Sequence, residues 1–400
     1  MTAVKLTGPE FIADPYPVYS RLRSATPVVR DPEIGAWIVT SYDAVSAGLR
    51  DARFSSERFA QTRQLFKFPG FAHLAPARIH SFLDRDPPDH TRLRGLVNKA
   101  FTPNRVAALE ARIQTLVDQL VGAFPRGPFD LLAALAQPLP LIVIAELLGL
   151  PATDRERIKH WSDAVANVFS SRFEGPDVAS LSAAAVALSD LFDYLAGHIN
   201  QRRRDPQDDL LTALVQAEEN QGRLSEDEIY STILVLLVAG NETTTNLIGN
   251  GLNALLRHPD ARQQLWANPG LVPQAVEEML RYDSPAQMIT RRARGDIDLM
   301  GTLIPDGETV YFILGAANRD PAHFPDPDSF VLTRDQSKHI SFGIGPHFCI
   351  GASLARLEGT VVFRTLIRRC PEIRLVDEPP VYRGNFSLRG LRALNVIISP

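Results

Sequence analysis

The sequence predicts a mainly α-helical fold with a small β portion (α+β). Most stretches between the turns carry apolar residues at helical spacing, and only two short runs are rich in β-branched or aromatic residues. One helical pattern, over residues 225–258, is much longer than the others. We therefore expect a helical protein built on a long central helix, with a few strands near the two ends of the chain.

The predicted elements can be placed in chain order. The two strands are 36–40 and 309–314. The helices are 105–124, 142–150, 183–203, 225–258, 260–267 and 352–368. No low-complexity tract, internal repeat or charged tail marks a linker, so we expect a single domain over residues 1–400.

The long helix has a start signal and a stop signal. Ser225 and Glu228 have the spacing of a capping box, in which each side chain binds the backbone N–H of the other residue. Pro259 cannot continue a helix and ends it. A helix of this length, apolar in its middle, is expected to be central to the fold.

Composition excludes several classes of protein. A net charge of −4 with interspersed signs argues against a nucleic-acid partner. Two cysteines are too few for a disulfide framework and fit a reducing compartment. The N-terminal residues contain no long apolar stretch, and the run at 233–239 is far shorter than the ~20 residues of a membrane span. We expect a cytoplasmic protein without a membrane anchor.

Cys349 lies in a glycine-rich loop that leads directly into the helix predicted from residue 352. Glycine allows sharp turns and close approach to a flat group because it has no Cβ. A thiol just before a helix N-terminus faces backbone N–H groups and the positive end of the dipole, both of which lower its pKa. The pattern indicates a thiolate site, although a lone cysteine is more often buried and inert. We interpret Cys370 as structural.

Polar residues interrupt the long helix where it should be buried, at Gly240, Asn241, Glu242 and Thr243. A glycine inside a helix costs ~1 kcal/mol, and a buried carboxylate costs more unless it is paired or hydrated. Such a local violation points to function. The Thr243 hydroxyl could bond the carbonyl of Ala239 and bend the helix, opening a groove for a small molecule and a water. The alternative is a surface turn at which these side chains meet solvent.

The cysteine loop resembles the haem-binding loop of the cytochrome P450 family. The family pattern has a Phe, two Gly, a His or Arg, the ligand Cys and a final Gly. In this chain the corresponding residues are Phe342, Gly343, Gly345, His347, Cys349 and Gly351. The resemblance implies the cytochrome P450 fold, in which the long helix lies over a haem b whose axial ligand is the Cys349 thiolate.

The segment 239–244 is similar to the oxygen-activation motif of the same family. The likeness implies that Ala239 contacts the haem, that Glu242 relays protons from solvent, and that Thr243 helps to hold O2 and its water. Proton delivery is a mechanistic need of O–O cleavage.

Two further motifs support the resemblance. Glu278 and Arg281 match the Glu-x-x-Arg motif, a buried ion pair that braces the fold behind the haem loop. The family often completes that pair with an arginine at the position of Ser329, so Arg319 or Arg334 could substitute here.

Cationic and polar residues are needed for the haem propionates, because buried carboxylates require such partners. His90 and Arg94 lie one helical turn apart and resemble the propionate-binding His-x-x-x-Arg of the family. Arg291 and His347 complete the set by the same likeness, although Arg292 adjoins Arg291. Taken alone, the His90 segment could equally be a solvated basic helix start.

The resemblance implies a haem-thiolate monooxygenase that inserts one oxygen atom from O2 into a C–H bond of a small lipophilic substrate by hydroxylation or epoxidation. The 400 residues would form one haem domain with no fused reductase. Electrons would come from NAD(P)H through a separate ferredoxin and ferredoxin reductase. We expect a monomer that docks the acidic ferredoxin on basic residues around the thiolate side, such as Arg92, Lys99, Arg105 and Arg356.

The substrate pocket is predicted by position and from its apolar residue types. The candidates come from the long helix, from the segment after Glu-x-x-Arg and from near the C-terminus: Val235, Val238, Ala286, Gln287, Met288, Ile289, Phe386 and Leu388. An aromatic-rich loop adds Phe66, Phe68, Phe71 and Phe82. Such an apolar set can equally be plain core.

Two alternatives remain at this point. One is a haem-binding sensor or redox protein without oxygenase turnover, and the other is a peroxygenase driven by peroxide.

Overall fold

The computed structural model describes residues 6, 8–57, 68, 71, 81–170, 178–219, 222–335, 338–376 and 379–398. The chain divides into two compact units, each made from separate stretches. Unit 1 consists of Met1–Ser55, Ala108–Leu139 and Thr243–Pro400, and unit 2 of Ser56–Ala107 and Pro140–Glu242. The expectation of a single domain over residues 1–400 stays a prediction.

Helices dominate the described residues, as predicted. In chain order the α-helices are α1 (Pro9–Ala13), α2 (Tyr16–Ala25), α3 (Tyr42–Arg50), α4 (Asp89–Ala100), α5 (Pro103–Ala108), α6 (Glu110–Gly122), α7 (Pro138–Leu147), α8 (Arg155–Ser170), α9 (Val178–Arg204), α10 (Leu210–Val215), α11 (Glu226–Arg257), α12 (Pro259–Ala267), α13 (Val272–Tyr282), α14 (Leu314–Ala317) and α15 (Ala352–Arg369). Short 3₁₀ turns are Phe82–Asp84, Ala152–Asp154, Pro269–Leu271 and Gly345–His347, and Leu132–Ala136 is a π-helical turn.

The strands in the described part of the chain are short. They are β1 (Val28–Asp31), β2 (Ala36–Val39), β3 (Phe54–Ser55), β4 (Phe129–Asp130), β5 (Glu218–Glu219), β6 (Gly222–Arg223), β7 (Met288–Ala293), β8 (Ile297–Leu299), β9 (Thr302–Ile304), β10 (Thr309–Ile313), β11 (Ile373–Leu375) and β12 (Asn395–Ile398).

Most predicted element boundaries agree with the structure to within a few residues. The helix predicted over 105–124 is instead two helices, α5 and α6, with Leu109 between them. The helix predicted from residue 142 begins earlier, at Pro138, because proline is tolerated in the first helical turn.

The main sheet belongs to unit 1 and has the strand order β1-β2-β10-β7-β3. β10 pairs parallel to β2 and antiparallel to β7, with Tyr311 opposite Thr290. Helix α3 packs against the sheet and buries Ala44, Val45 and Leu49 in a core that includes Phe312. This core supports one side of the cysteine loop, because Ile344 packs against it.

Helix α15 is the second support of unit 1. It packs against α6 and α13. A Cβ on Gly359 would lie 3.3 Å from Val276 and 3.5 Å from Leu247, which shows how closely α15 approaches its neighbours. The start of α15, just after Cys349, is therefore fixed by packing along the rest of the helix.

Unit 2 is helical, with one short hairpin of β5 and β6. Helix α8 packs on α9, and α4 packs on α10. The capping box predicted for the long helix is present: the Glu228 N–H donates to Ser225 Oγ at 3.2 Å, and the Ser225 N–H donates to Glu228 Oε2 at 2.8 Å.

One helix among the described residues, α9, is long and apolar enough to cross a membrane by length and composition alone. A buried core helix meets the same criterion, and α9 buries Leu188, Leu191, Phe192 and Leu195. We regard this single helix as weak support for a membrane span.

Candidate active site

The cysteine loop is held by its own backbone hydrogen bonds. The Gly343 N–H donates to Ile340 O at 2.9 Å, the Phe348 N–H to Gly345 O at 3.1 Å, and the Cys349 N–H to Phe342 O at 2.9 Å. Gly343 and Gly345 have φ of 69° and 78°, in the left-handed region that favours glycine. The loop therefore folds back on itself and presents Cys349 at its end.

The glycines of the loop serve different purposes. A Cβ on Gly345 would lie 2.8 Å from Leu49 O, and one on Gly343 would lie 3.1 Å from Ile289 Cδ1, so the protein itself requires both glycines. Gly351 has φ of −83°, and a Cβ there would meet only Cys349 Sγ, at 3.9 Å. Protein packing does not demand glycine at 351, whereas a flat group lying against the thiol would.

The thiol of Cys349 is exposed and stands just before helix α15, whereas Cys370 is buried; neither cysteine forms a disulfide. Gly351 is the N-cap of α15 and gives no side-chain cap. Backbone N–H groups at a helix N-terminus favour an anion. These features of the donor and its loop fit a haem-thiolate group.

Strand β7 places two predicted residues on one face. Alternate strand residues share a face, so Ile289, which lies beside Gly343, and Arg291 point to the same side of the sheet. Arg291 is buried and its Nη1 donates to Thr290 O at 2.9 Å, whereas Arg292 is exposed. This difference distinguishes the two adjacent arginines, which the sequence could not do.

Helix α11 is continuous through the predicted oxygen-activation segment. Ala239 and Gly240 are exposed, Glu242 and Thr243 are half-buried, and Asn241 is buried. The reading of this segment as a plain surface turn does not fit the burial of Asn241. The boundary between the two units falls between Glu242 and Thr243.

In unit 2, His90 and Arg94 lie in helix α4 with the predicted spacing of one turn. His90 is 2% exposed and Arg94 is half-buried. The burial of His90 argues against a solvated basic helix start.

Glu278 and Arg281 form a fully buried ion pair on α13. Arg281 Nε donates to Glu278 Oε2 at 2.7 Å, and its Nη2 donates to Oε1 at 2.9 Å. Arg334 is the further arginine, with its Nε 3.5 Å from Glu278 Oε1. Arg319 does not substitute; it binds Tyr282 O and Asp328 instead.

The predicted pocket residues of unit 1 fall into two groups. Ala286, Met288, Ile289 and Leu388 are half-buried, and Ala286 pairs with Leu388 in an antiparallel bridge. Gln287 and Phe386 are different, because their side chains belong to the core.

Gln287 lies in a buried polar cluster, where its Oε1 accepts from Tyr19 Oη at 3.1 Å and its Nε2 donates to Ser284 O at 2.7 Å. Phe386 stacks near Phe11, with ring centroids 5.5 Å apart. We therefore leave Gln287 and Phe386 out of the proposed pocket.

For the predicted pocket residues of unit 2, burial does not distinguish a pocket lining from core. Val235 and Val238 are half-buried on α11. Phe71 and Phe82 are buried, the Phe68 and Phe71 rings lie edge to face, and Phe66 lies outside the described residues.

Several predicted docking cations are bound to acidic partners. Arg92 pairs with Glu228, Arg105 lies 3.5 Å from Asp208, and Arg356 forms two hydrogen bonds to Glu277. Their charges are partly neutralised, so they are poorer docking cations than the sequence suggested.

Comparison with known proteins agrees with this geometry. The cytochrome P450 family model matches residues 36–269 and 267–391. The chain belongs to the cytochrome P450 family. This P450 is 44% identical to the cytochrome P450 monooxygenase PikC of Streptomyces venezuelae, over 97% of the chain and 92% of the relative. It is 39% identical to the vitamin D(3) 25-hydroxylase of Pseudonocardia autotrophica, over 98% of the chain and 95% of that protein.

The P450 fold is also shown by solved structures. The polyketide synthase cytochrome P450 PksS of Bacillus subtilis 168 superposes with a TM-score of 0.89 at 38% identity, covering 99% of this chain and 100% of the other. The chain is thus a cytochrome P450 monooxygenase, and its family implies haem with thiolate ligation and O2 as co-substrate.

Sequence reasoning missed several ion pairs of unit 1. Glu277, adjacent to Glu278, binds both His339 and Arg356. Asp283 and Arg389 form a buried ion pair at 2.6 Å that fastens the C-terminal segment. Two consecutive glutamates, Glu277 and Glu278, precede Arg281 in the sequence and could have drawn attention to Glu277. No sequence pattern connects Asp283 with Arg389.

Proposed function

We propose that this P450 inserts one oxygen atom from O2 into an unactivated C–H bond of a small lipophilic substrate, by hydroxylation or epoxidation. The observation that carries the proposal is the exposed Cys349 thiol, which ends a glycine loop at the N-terminus of α15. When bound, the haem supplies the oxidising chemistry, and a thiolate ligand favours O–O cleavage.

The residues proposed to hold the haem fall into three roles. Cys349 would bind the haem iron through its thiolate. His90, Arg94, Arg291 and His347 are the proposed partners of the propionates, and His90 and Arg291 are buried, as side chains beside a buried haem would be. Contact residues are Ala239, Phe342, Gly343 and Gly351.

Glu242 and Thr243 are proposed to deliver protons to the reacting oxygen. Both are half-buried and adjacent on one continuous helix, a position that allows contact with solvent on one side and with the reaction on the other. Glu242 takes protons from solvent, and the Thr243 hydroxyl orients the final donor.

Half-buried apolar side chains are proposed to line the pocket and orient one C–H bond. They are Val235, Val238, Ala286, Met288, Ile289 and Leu388. Relatives named for polyketide biosynthesis and for vitamin D(3) hydroxylation favour a lipophilic substrate of biosynthetic origin.

Electrons are proposed to come from NAD(P)H through a separate ferredoxin and its reductase, with residues 1–400 acting as one monomeric haem domain. We propose a cytoplasmic enzyme, since two cysteines in 400 residues fit a reducing compartment, and no nucleic-acid partner, since the net charge is −4. Because Arg92, Arg105 and Arg356 have acidic partners, the docking surface draws on other cations as well.

Relatives named as monooxygenases and hydroxylases favour turnover over the sensor alternative. The peroxygenase alternative is distinguished by experiment: product formed with hydrogen peroxide and without any reductase would favour it.

The reduced, carbon monoxide-bound absorption spectrum of the purified protein tests the ligand. We expect a Soret band at the long wavelength of thiolate-ligated haem. Cys349→Ala should abolish this band, whereas Cys370→Ala, at a buried position, should preserve it. A thiolate band that survives in Cys349→Ala would overturn the proposal.

Gly351→Ala gives a second test, independent of turnover. A Cβ at residue 351 makes only an ordinary contact with Cys349 Sγ, so the unfolding free energy of the haem-free protein should change little. Haem affinity should nevertheless fall, because the added methyl group occupies the space beside the thiol. Unchanged haem affinity would count against close approach of the haem at this glycine.

A further inference from the structure

The carboxylate of Glu277 joins the two ends of the cysteine loop. Its Oε1 accepts from Arg356 Nε at 2.7 Å and its Oε2 from Arg356 Nη2 at 2.8 Å. The same Oε2 lies 2.8 Å from His339 Nε2. His339 precedes the loop and Arg356 lies on α15 after it, so one side chain of α13 connects the chain before Phe342 with the chain after Cys349.

The tautomer of His339 is fixed by the backbone. The Ser341 N–H donates to His339 Nδ1 at 3.3 Å, so Nδ1 is an acceptor and the proton of the neutral ring lies on Nε2. His339 Nε2 therefore donates to Glu277, and the ring, 3% exposed, is held at both nitrogens.

Arg356 transmits this arrangement to the loop. Its guanidinium carbon lies 4.5 Å from the centroid of the Phe342 ring, within the range of a cation–π contact. The carbonyl of Phe342 accepts the N–H of Cys349 at 2.9 Å. Glu277 is thus connected to the backbone of Cys349 by direct contacts through Arg356 and Phe342.

These contacts are less exposed than those of an ordinary surface ion pair, because the side chains of His339 and Glu277 are 3% and 22% exposed. Burial alone would raise the pKa of Glu277, but hydrogen bonds from His339 and Arg356 outweigh it and lower the pKa to about 2. Farther along α15, Arg364 lies 3.9 Å from Glu110, and both side chains are about half exposed. Such an exposed pair contributes little to stability.

We propose that Glu277 is the positioning residue of the cysteine loop, and that it holds His339 and Arg356 so that the Cys349 thiol keeps the orientation of an axial ligand. This role is separate from that of the neighbouring Glu278, whose carboxylate binds Arg281 and Arg334. The inference rests on the proposed role of Cys349 as the haem ligand.

The experiment compares Glu277→Gln, His339→Gln, Arg356→Gln and Arg356→Lys with the matched pair Glu110→Gln and Arg364→Lys. Two properties of the haem-loaded protein are measured: the rate at which the thiolate-type spectrum of the reduced carbon monoxide complex is lost in mild urea, and the reduction potential of the haem. Neither readout requires a known substrate.

Loss of one charge-assisted hydrogen bond should accelerate loss of the thiolate-type spectrum about tenfold in Glu277→Gln and His339→Gln. Arg356→Lys keeps the charge but loses the paired contact, so it should show a smaller acceleration. The reduction potential should rise in Glu277→Gln, which removes a negative charge, and fall in Arg356→Gln, which removes a positive one. The pair on Glu110 and Arg364 should change neither property.

A role limited to fold stability would make the thiolate-type spectrum disappear at the rate of global unfolding, followed by circular dichroism, in every variant, and that result would overturn the inference. Wild-type values in both Glu277→Gln and Arg356→Gln would also overturn it. Failure of the underlying ligand assignment is recognised separately, because the wild-type protein itself would then show no thiolate-type band. If Glu277→Gln does not fold, His339→Gln and Arg356→Lys still decide.

Discussion

Arg334 and Arg281 share a single backbone acceptor, the carbonyl of Ser329, each with its Nη2 at 3.1 Å. Ser329 stands where the family resemblance led us to expect an arginine that completes the Glu-x-x-Arg pair. Arg334, which lies five residues later in the chain, supplies the arginine beside Glu278 instead. The Glu278 carboxylate thereby binds Arg281 and Arg334, and it also accepts the N–H of Val331 at 2.8 Å.

Breaking this cluster should be costly, because it leaves a fully buried carboxylate with too few partners. Arg281→Met should lower the free energy of unfolding by about 3–5 kcal/mol. Arg334→Met should cost less, about 1–3 kcal/mol, since its contact with Glu278 is longer, at 3.5 Å. Urea titration followed by circular dichroism measures both values. An equal or greater loss in Arg334→Met would contradict this ranking.

Thr243→Ala should separate electron consumption from product formation. Without the hydroxyl, proton delivery fails, and reducing equivalents should be released mainly as hydrogen peroxide. The measurement is peroxide formed per NAD(P)H consumed, with a ferredoxin and reductase supplied.

Thr245→Ala is the matched control on the same helix. The Thr245 hydroxyl donates to Ala136 O at 3.0 Å and is buried, so its loss should cost about 1 kcal/mol of stability without raising peroxide. Equal peroxide yields from the two variants would contradict the proposed role of Thr243.

Met300→Asn should stabilise the protein. Met300 and Gly301 form the two-residue turn between β8 and β9, with φ of 56° and 83°, as in a type I′ turn. Methionine is strained at positive φ, whereas Asn-Gly is the preferred pair at this turn. The Met300 side chain is 61% exposed, so little packing is lost.

We expect a gain of about 0.5–1 kcal/mol in the free energy of unfolding. Leu303→Asn, an exposed position on the same hairpin without positive φ, is the control and should give no gain. If both variants behave alike, the strain at Met300 is not the cause.

The fold could be predicted from sequence where local signals are strong. The capping box at Ser225 and Pro259 located helix α11 to within one residue at each end. The split between α5 and α6 at Leu109 was missed, because a single helical pattern continues across it.

The candidate site was predictable only through its motifs. The cysteine loop can be recognised from the spacing of its residues. Asp283 and Arg389, in contrast, are 106 positions apart, and only packing brings them together. For the same reason Gln287 and Phe386 were predicted as pocket residues by position, since their contacts with Tyr19 and Phe11 join distant parts of the chain.

Glu358 provides a test of burial through pH. It lies on α15, is 2% exposed, and its Oε2 has no hydrogen-bond partner among the described residues. Burial raises the pKa of this carboxyl from 4.5 to about 8. At neutral pH the folded protein therefore holds a proton on Glu358 that the unfolded chain has released.

The direction in which stability changes with pH follows from this difference in bound protons. Between about pH 4.5 and pH 8 the folded state binds the extra proton, so the contribution of Glu358 to stability falls as pH rises, by about 1.4 kcal/mol for each pH unit, and is constant above. Glu358→Gln cannot titrate, so the difference in unfolding free energy between this variant and the wild type should grow in favour of the variant across the same window. Glu372→Gln, at an exposed position, is the control and should show no such growth. Urea titrations at half-unit steps from pH 5 to pH 9 measure the difference; a gap independent of pH would mean that the Glu358 carboxyl keeps an ordinary pKa.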